Sequence, residues 1–599
     1  MQRLDHGVIG NGRVIALIAP DSGVEWLCLP RFDSPSVFGA IVDQDRGGVF
    51  RFRCGDRVLT GKQQYLTNTN VLRTVFEDGD ASWEVIDFAP RIALASHHFD
   101  TPAELVRIVR PITGTPRITV EFAPRPDYGR ATPAMVSTPH GIEVLGGAVP
   151  LSLFANVPGE QIVGGLEIAL RHPLYFTLSH GSRKVPPLES EYTFMLEETV
   201  RMWRIWAKTC ALPSFAPAEV LRSALCMKLH CYADTGAIIA AATTSIPEAL
   251  GTPRTWDYRY CWLRDAAFVV EAMRRLSHLY EGEHFIAFLR DMAEAGPLQP
   301  LYGIAGEREL PEIVLGHLRG WNHNAPVRIG NAAAIQQQND LDGELILCLH
   351  TILGDPRVVF EGADTLFPLI ARLVEQSIAT APLADTGIWE FRTLPRHYTF
   401  SRAMCWAAIQ RGSELAEQFG HHDLAKKWKS VADDEKAIVL DRGFNQKLGM
   451  FTQELDGEAG DAALLLFPTI GIIDAKDPRF LSTLDHYGQY QTHNGLMKRY
   501  TNLDDFGPTT SAFTMCSFWW AEALALAGRL DQAVEVFERV IAHANPLGLF
   551  SEDIEPETGQ LLGNFPQAYT HVGLVHAAMT IGELLDARAG RARAWGKTE

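Results

Sequence analysis

The chain has 599 residues, 46% of them hydrophobic and 21% charged, the proportions of a globular protein with room for more than one domain. Its formal net charge of −18 disfavours nucleic acid or an anionic membrane as partner and suits a neutral or cationic ligand, although acidity also serves solubility. No stretch approaches the roughly 18 apolar residues of a membrane span, and Met1 to Gly7 contain no apolar run of a secretory leader.

The first 180 or so residues read as short extended segments broken by turns. Val71-Leu72-Arg73-Thr74-Val75-Phe76 runs into Glu77-Asp78-Gly79-Asp80, and Ala81 to Phe88 follows as a hairpin partner. Arg117 to Phe122 alternates, and Gln161 to Ala169 is a further β-like run. Many short strands punctuated by Gly, Pro and Asp predict an antiparallel β-sandwich over 1–188. Residues 189–215 form a helical linker, with Met202, Trp203 and Trp206 on one face. From 216 to 599 the pattern is helical, with apolar-periodic segments at 217–233, 264–279, 281–295, 330–352, 365–380, 400–419, 422–442, 510–528, 530–544 and 568–588. Helices arriving in pairs, joined by long aromatic loops, predict a closed α/α barrel rather than a regular solenoid.

Nine cysteines are scattered singly, with neither a Cys-x-x-Cys pair nor metal-ligand spacing. Several lie in apolar stretches such as Ala224-Leu225-Cys226-Met227, as buried reduced thiols would. With no leader, they set the expectation of a cytoplasmic protein.

Two glutamates carry the first chemical signal. Glu390 lies in Thr386-Gly387-Ile388-Trp389-Glu390-Phe391-Arg392, and Glu552 in Leu549-Phe550-Ser551-Glu552-Asp553. Cleaving the acetal between two sugars needs one carboxylic acid to protonate the leaving oxygen, and inversion needs a second carboxylate to activate water. The densest functional cluster is Arg254-Thr255-Trp256-Asp257-Tyr258-Arg259-Tyr260-Cys261-Trp262-Leu263-Arg264-Asp265. Planar rings hold the C–H faces of sugars, while Arg and Asp grip hydroxyls. Asp265 is also placed to cap or charge a helix N-terminus.

That segment resembles the signature of glycoside hydrolase family 15, the glucoamylase and bacterial trehalase family. Other blocks agree in order: Gly10-Asn11-Gly12-Arg13, Trp26 to Ser34, Pro300-Leu301-Tyr302-Gly303-Ile304, Val327 to Ala333, Gly387-Ile388-Trp389-Glu390, and Gly563-Asn564-Phe565-Pro566-Gln567-Ala568. The resemblance spans about residues 7 to 588. It implies an N-terminal β-sandwich before an (α/α)6 barrel catalytic domain, a multidomain α and β protein.

The resemblance puts the general acid on Glu390 and the general base on Glu552, with Asp553 as the competitor for the second role. It implies substrate contacts from Tyr258, Trp262, Arg264, Asp265, Trp389 and Arg499, and from Trp321 in a more variable loop, where core packing is the alternative. Trp519 and Trp520 fall in a helical stretch and read as core. The chain departs from the family pattern at Gly303-Ile304-Ala305-Gly306, with alanine where many relatives carry aspartate, and over Asp504-Asp505-Phe506-Gly507-Pro508-Thr509-Thr510-Ser511-Ala512-Phe513. Both segments are expected near the sugar sites.

No cofactor or metal is implied. Asn339 to Glu344 lacks calcium-loop spacing, and His323 and His397 stand alone in polar loops. The expected activity is an inverting exo-acting α-glucoside hydrolase releasing β-glucose, with α,α-trehalose the favoured substrate in a leaderless chain without a starch-binding module. Glucoamylase-type or isomaltose-type hydrolysis is the alternative. A disaccharide phosphorylase, using phosphate in place of the base and water, is the reading from another class. The expected partner is a small α-glucoside, with a homo-oligomer left open.

Overall fold

A computed structural model describes residues 2–591 apart from 96–97, 147–149, 182, 359–362 and 394. The end of the expected barrel, 592–599, lies outside the described residues. In the first part, sequence alternation becomes sheet. Arg117–Ala123 buries Ile118, Val120 and Phe122, and Leu72–Asp78 buries Leu72, Thr74 and Phe76, the period of two that sends one strand face into a core.

The described strands build two large antiparallel sheets. One runs in the order Gly7–Gly10, Ile15–Ile18, Val24–Cys28, Val49–Arg53, Arg117–Ala123 and Ile168–Ala169, with Ser36–Phe38 beside the third. The other runs Ala134–Thr138, Gly141–Leu145, Leu151–Ala155, Leu174–His180, Glu104–Thr113, Ala81–Phe88, Leu72–Asp78 and Lys62–Tyr65. The expected hairpin is present, with Phe76 opposite Trp83 and their rings stacked at 4.2 Å. A short helix α1 (Gly159–Val163) interrupts the strands.

Between the sheets, Phe50, Phe52, Trp83, Phe122 and Phe176 share one core. Arg107 and Asp87 lie beside it, paired across adjacent strands, at 2.7 Å and with both side chains wholly buried. Arg107 also donates to the carbonyls of Phe50 (2.6 Å) and Ser22 (2.5 Å) on the opposing layer. One guanidinium thereby ties the two sheets together.

Helix α2 (Glu189–Lys208) follows and buries Met195, Met202 and Trp203. The helical part contains α3 (Pro217–His230), α4 (Leu263–Arg275), α5 (Leu279–Ala295), α6 (Leu341–Leu353), α7 (Phe367–Thr380), α8 (Thr399–Gln418), α9 (His422–Arg442), α10 (Phe467–Ile470), α11 (Pro478–Tyr490), α12 (Thr514–Leu526), α13 (Leu530–Ile541) and α14 (Ala568–Arg588). Helix α4 packs on α6 and α6 on α8. The turn of 462–466 that leads into α10 touches both α8 and α12, α12 packs on α14, and α14 returns to α4. This inner ring is closed, and α3, α5, α7, α9, α11 and α13 cover it from outside, giving the (α/α)6 barrel.

Composition explains which helix goes where. The residues of α12 and of the first four turns of α14 are buried on almost every side, as an inner helix requires. Helix α13 buries only Leu530, Ala533, Val536, Phe537 and Val540, one stripe at helical spacing. Four expectations change, the first being the β-like run of 161–169, which begins inside α1 and is strand only at Ile168–Ala169. The segment expected as a helix over 330–352 is an open loop until Leu341, with a single 3₁₀ turn at 332–335. The segment expected from 510 starts at Thr514, and α11 was not anticipated. No helix among the described residues is long and apolar enough to cross a membrane.

Candidate active site

At one end of the barrel, loops and first turns entering the inner helices converge on a pocket. Trp262 and Arg264 come from the start of α4, Glu390 from the loop before α8, Phe513 from the residue before α12, and Gln567 and Tyr569 from the start of α14. Its empty space, open mouth included, is about 850 Å3, within the usual span of small-molecule sites.

Glu390 projects from a tight turn in which its own N–H donates to the Gly387 carbonyl (3.1 Å) and Phe391 N–H donates to Thr386 (3.0 Å). Its φ is +59°, a conformation that disfavours a side chain and recurs at functional sites. Gly387 is required here, since φ is +65° and a Cβ would meet the Tyr398 ring at 2.8 Å. Three donors converge on Glu390 Oε1: Trp262 Nε1 at 2.7 Å, Gln338 at 3.1 Å and Arg264 at 3.3 Å. Oε2 takes part in none of these bonds. Arg392 turns away from the carboxyl to pair with Glu312 at 2.8 Å and lie over Trp256. Trp389 packs on Tyr500, Phe513 and Trp519, and its Nε1 donates to Asp461 at 2.9 Å.

Glu552 is held in the same way on another wall. Tyr258 donates its hydroxyl to Oε1 at 2.8 Å, and Arg499 approaches the same oxygen at 3.3 Å. Oε2 is buried and without a hydrogen-bond partner among the described residues. Gly563 makes room for it, because a Cβ there would stand 2.8 Å from Oε2. The neighbouring Asp553 differs: Arg499 holds one oxygen at 2.8 Å and Ser511 the other at 3.0 Å. Tyr258 and Trp262 meet edge to face, with ring centroids 5.4 Å apart, and so link the two glutamates.

Arg499 serves three carboxyl groups, since Glu248 also reaches it at 3.1 Å and accepts from Trp256 at 2.8 Å. Burial and the Glu248 carboxylate push the Glu552 carboxyl well above its ordinary range, against the pull of Arg499. Burial likewise raises Asp553, to about 7, although Arg499 opposes it. Replacing Glu248 by Gln removes one anion and lets Glu552 ionise at lower pH. Where turnover needs the ionised form of Glu552, the acid limb of the pH–kcat profile should move down by about one pH unit. An unmoved limb would dissociate Glu248 from that ionisation.

The Arg254–Asp265 segment divides between two tasks. Tyr258, Trp262, Arg264 and Asp265 line the pocket. Asp265 lies in the first turn of α4 without capping it and approaches Arg264 at 3.3 Å. Burial raises its carboxyl to about 6. Asp257 and Arg259 instead form a wholly buried pair facing the sandwich, where Arg259 donates to Ser34 and Tyr128. The expectation for Trp321 is corrected: it is fully buried in the core beside the N-terminal segment and lines no part of the pocket. Residues 303–306 also lie off the pocket, and Glu307 just beyond them pairs with Arg31 of the sandwich. Sequence reasoning missed Glu248, Gln338 and Asp461. The run Gln336-Gln337-Gln338 was the available signal for the second, since three uncharged polar residues in succession fit poorly inside an amphipathic helix. Among the described residues no group of three or more His, Cys, Asp or Glu is arranged to hold a metal ion. All nine cysteines are free thiols.

A closed barrel of paired helices with a ring-walled, carboxylate-lined pocket at its mouth is the build of a glycosidase, and comparison with known proteins places it more narrowly. Residues 216–579 match the model of glycosyl hydrolases family 15, and 2–163 match the trehalase-like N-terminal domain. The chain belongs to glycosyl hydrolase family 15. It is 33% identical to a trehalase of Thermoplasma volcanium over 98% of this chain and 94% of that protein. It is 34% identical to a trehalase of Mycobacterium tuberculosis over 96% and 89%. A crystal structure of a bacterial glucoamylase complexed with acarbose shares the fold, with TM-score 0.69 and 14% identity, covering 98% of this chain and 96% of that one.

Proposed function

We propose that the protein is an inverting exo-acting α-glucosidase whose substrate is α,α-trehalose, with Glu390 as general acid and Glu552 as general base. Glu390 gives its proton to the oxygen between the sugars as that oxygen leaves C1. Water attacks C1 from the opposite face, and its proton passes to Glu552 Oε2. One ring departs as β-glucose and the other as α-glucose, and solvent exchange restores both carboxyls. Tyr258, Trp262 and Trp389 supply apolar and ring surface, while Arg264, Asp265 and Arg499 offer the charged groups that grip hydroxyls.

The observation that carries this reading is the matched arrangement of the two carboxyls. Each has one oxygen held by donors from the wall, and neither second oxygen shares those bonds. Asp553, with both oxygens engaged, is the poorer base. Trehalose is favoured by the near full-length relatives named for that activity. The phosphorylase reading is disfavoured electrostatically. The lining contains six carboxyl groups (Glu248, Asp265, Glu390, Asp504, Asp505 and Glu552) against four arginines. Each of those arginines already pairs with a carboxylate, so a phosphate dianion finds no unclaimed cation.

Proton NMR of trehalose with the enzyme, begun before mutarotation, tests this. Equal β- and α-glucose signals at the earliest times are expected. An α signal alone would mean retention. Glucose 1-phosphate formed only with added phosphate would establish the phosphorylase, and turnover of maltose or isomaltose but not trehalose would transfer the reading to those substrates.

A further inference from the structure

The pocket wall includes residues 500–510, between Leu496–Met497 and Ala512–Phe513, which from Asp504 onward depart from the family pattern. It is fastened at several points. Arg254 grips the Asp504 carboxylate with both terminal nitrogens, at 2.6 and 2.5 Å, and both side chains are only 5% exposed. Tyr500 donates its hydroxyl to the same carboxylate at 2.5 Å. Asp504 and Gly507 exchange backbone hydrogen bonds at 3.2 Å, and Gly507 takes a φ of +96° to close the turn. Phe506 N–H donates to Asp504 at 2.8 Å, and its ring packs on Trp256 at 5.4 Å. Asp505 accepts from the backbone N–H of Arg392, two residues beyond Glu390. Asp504, Asp505 and Phe506 all line the pocket.

The position of this strap decides what it can touch. The acid donates to the oxygen between the rings, so the departing sugar lies outward of Glu390. Arg392, two residues past Glu390, joins Trp256, Asp505, Phe506 and Arg254 in one connected stretch of the lining. A bidentate ion pair between buried side chains and a tilted contact between the Phe506 and Trp256 rings fasten that wall.

We infer that the strap of Asp504, Asp505 and Phe506 is a specificity element that ends the leaving-group subsite after one sugar ring and confines the enzyme to disaccharides. This rests on the hydrolase reading above. It acts by exclusion, since a third ring would have to occupy the volume of Phe506 or break the Arg254–Asp504 pair.

The test compares trehalose with trehalose that carries two further α-1,4-linked glucose units on one ring. The scissile bond is the same and only the leaving group is longer. Maltose and maltopentaose replace them if maltose proves to be the substrate. The wild-type enzyme should cleave the longer compound with kcat/KM about 100-fold lower than the disaccharide. Phe506→Ala, which shortens the wall, and Asp504→Asn, which unfastens it, should each raise the long-to-short ratio about 10-fold, chiefly through KM. A wild type that treats both lengths alike overturns the inference with no variant needed and leaves the hydrolase reading standing. An unchanged ratio in active variants also overturns it. A wild type that cleaves no α-glucoside removes the hydrolase reading, and this inference with it.

Discussion

Glu390→Gln is expected to lower kcat on trehalose by about 10²–10⁴-fold, the range for loss of a general acid, with KM changed only a few-fold. Glutamine preserves the shape of the turn and can still accept from Trp262, so thermal unfolding should match the wild type. What is lost is the proton delivered to the leaving oxygen. A substrate whose leaving group needs no protonation, such as a nitrophenyl α-glucoside, should recover much of the rate in this variant. Glu552→Gln should fall as far on trehalose but recover nothing on the activated substrate, because water still needs its base. Steady-state kinetics on both substrates separate the two roles. Equal recovery in the two variants would show the assignments to be wrong.

Removal of Arg107 should produce the largest loss of stability outside the pocket. Arg107→Met leaves Asp87 wholly buried without its cation, and leaves the Phe50 and Ser22 carbonyls without their donor. Breaking such a pair costs about 3–5 kcal/mol. Calorimetry should show an early unfolding transition for the sandwich. Adding Asp87→Leu should restore much of the loss, because the uncompensated charge goes with it. If the double variant is no better than Arg107→Met, the lost carbonyl bonds dominate over the stranded carboxylate.

Most helices of the barrel are legible because inner and outer positions impose different apolar patterns. Helix α11 is the exception: its buried residues Phe480, Thr483, Leu484 and Tyr487 form a short stripe that includes a threonine. Its start was nonetheless marked, since Asp477 caps the N–H of Arg479 and Pro478 occupies the first turn. Over 330–340 the failure has a different cause. The Ala332-Ala333-Ala334 run has strong helical propensity, yet tertiary contacts hold the following glutamines open to reach Glu390. In the site, Glu390 and Glu552 stand out through their neighbours in sequence. Glu248 does not, because its importance comes from Arg499 and Trp256, which are distant or unremarkable in the chain. Trp321 shows the converse error: an aromatic residue in a loop can belong to the core.

The Asp257–Arg259 pair has a consequence for inheritance. Within one stretch of twelve residues, Tyr258 and Trp262 face the pocket while Arg259 is rooted in Ser34 and Tyr128 of the sandwich. A recombination event that joined this barrel to a foreign amino-terminal domain would leave Arg259 its Asp257 partner but take away the Ser34 carbonyl and Tyr128 hydroxyl it donates to, in the same stretch that carries the pocket rings Tyr258 and Trp262. The two halves are therefore matched to one another at this point. Drift at Tyr128, whose hydroxyl accepts from Arg259, would be felt beside the pocket even though Tyr128 does not line it, whereas Ser34 contributes only its main-chain carbonyl.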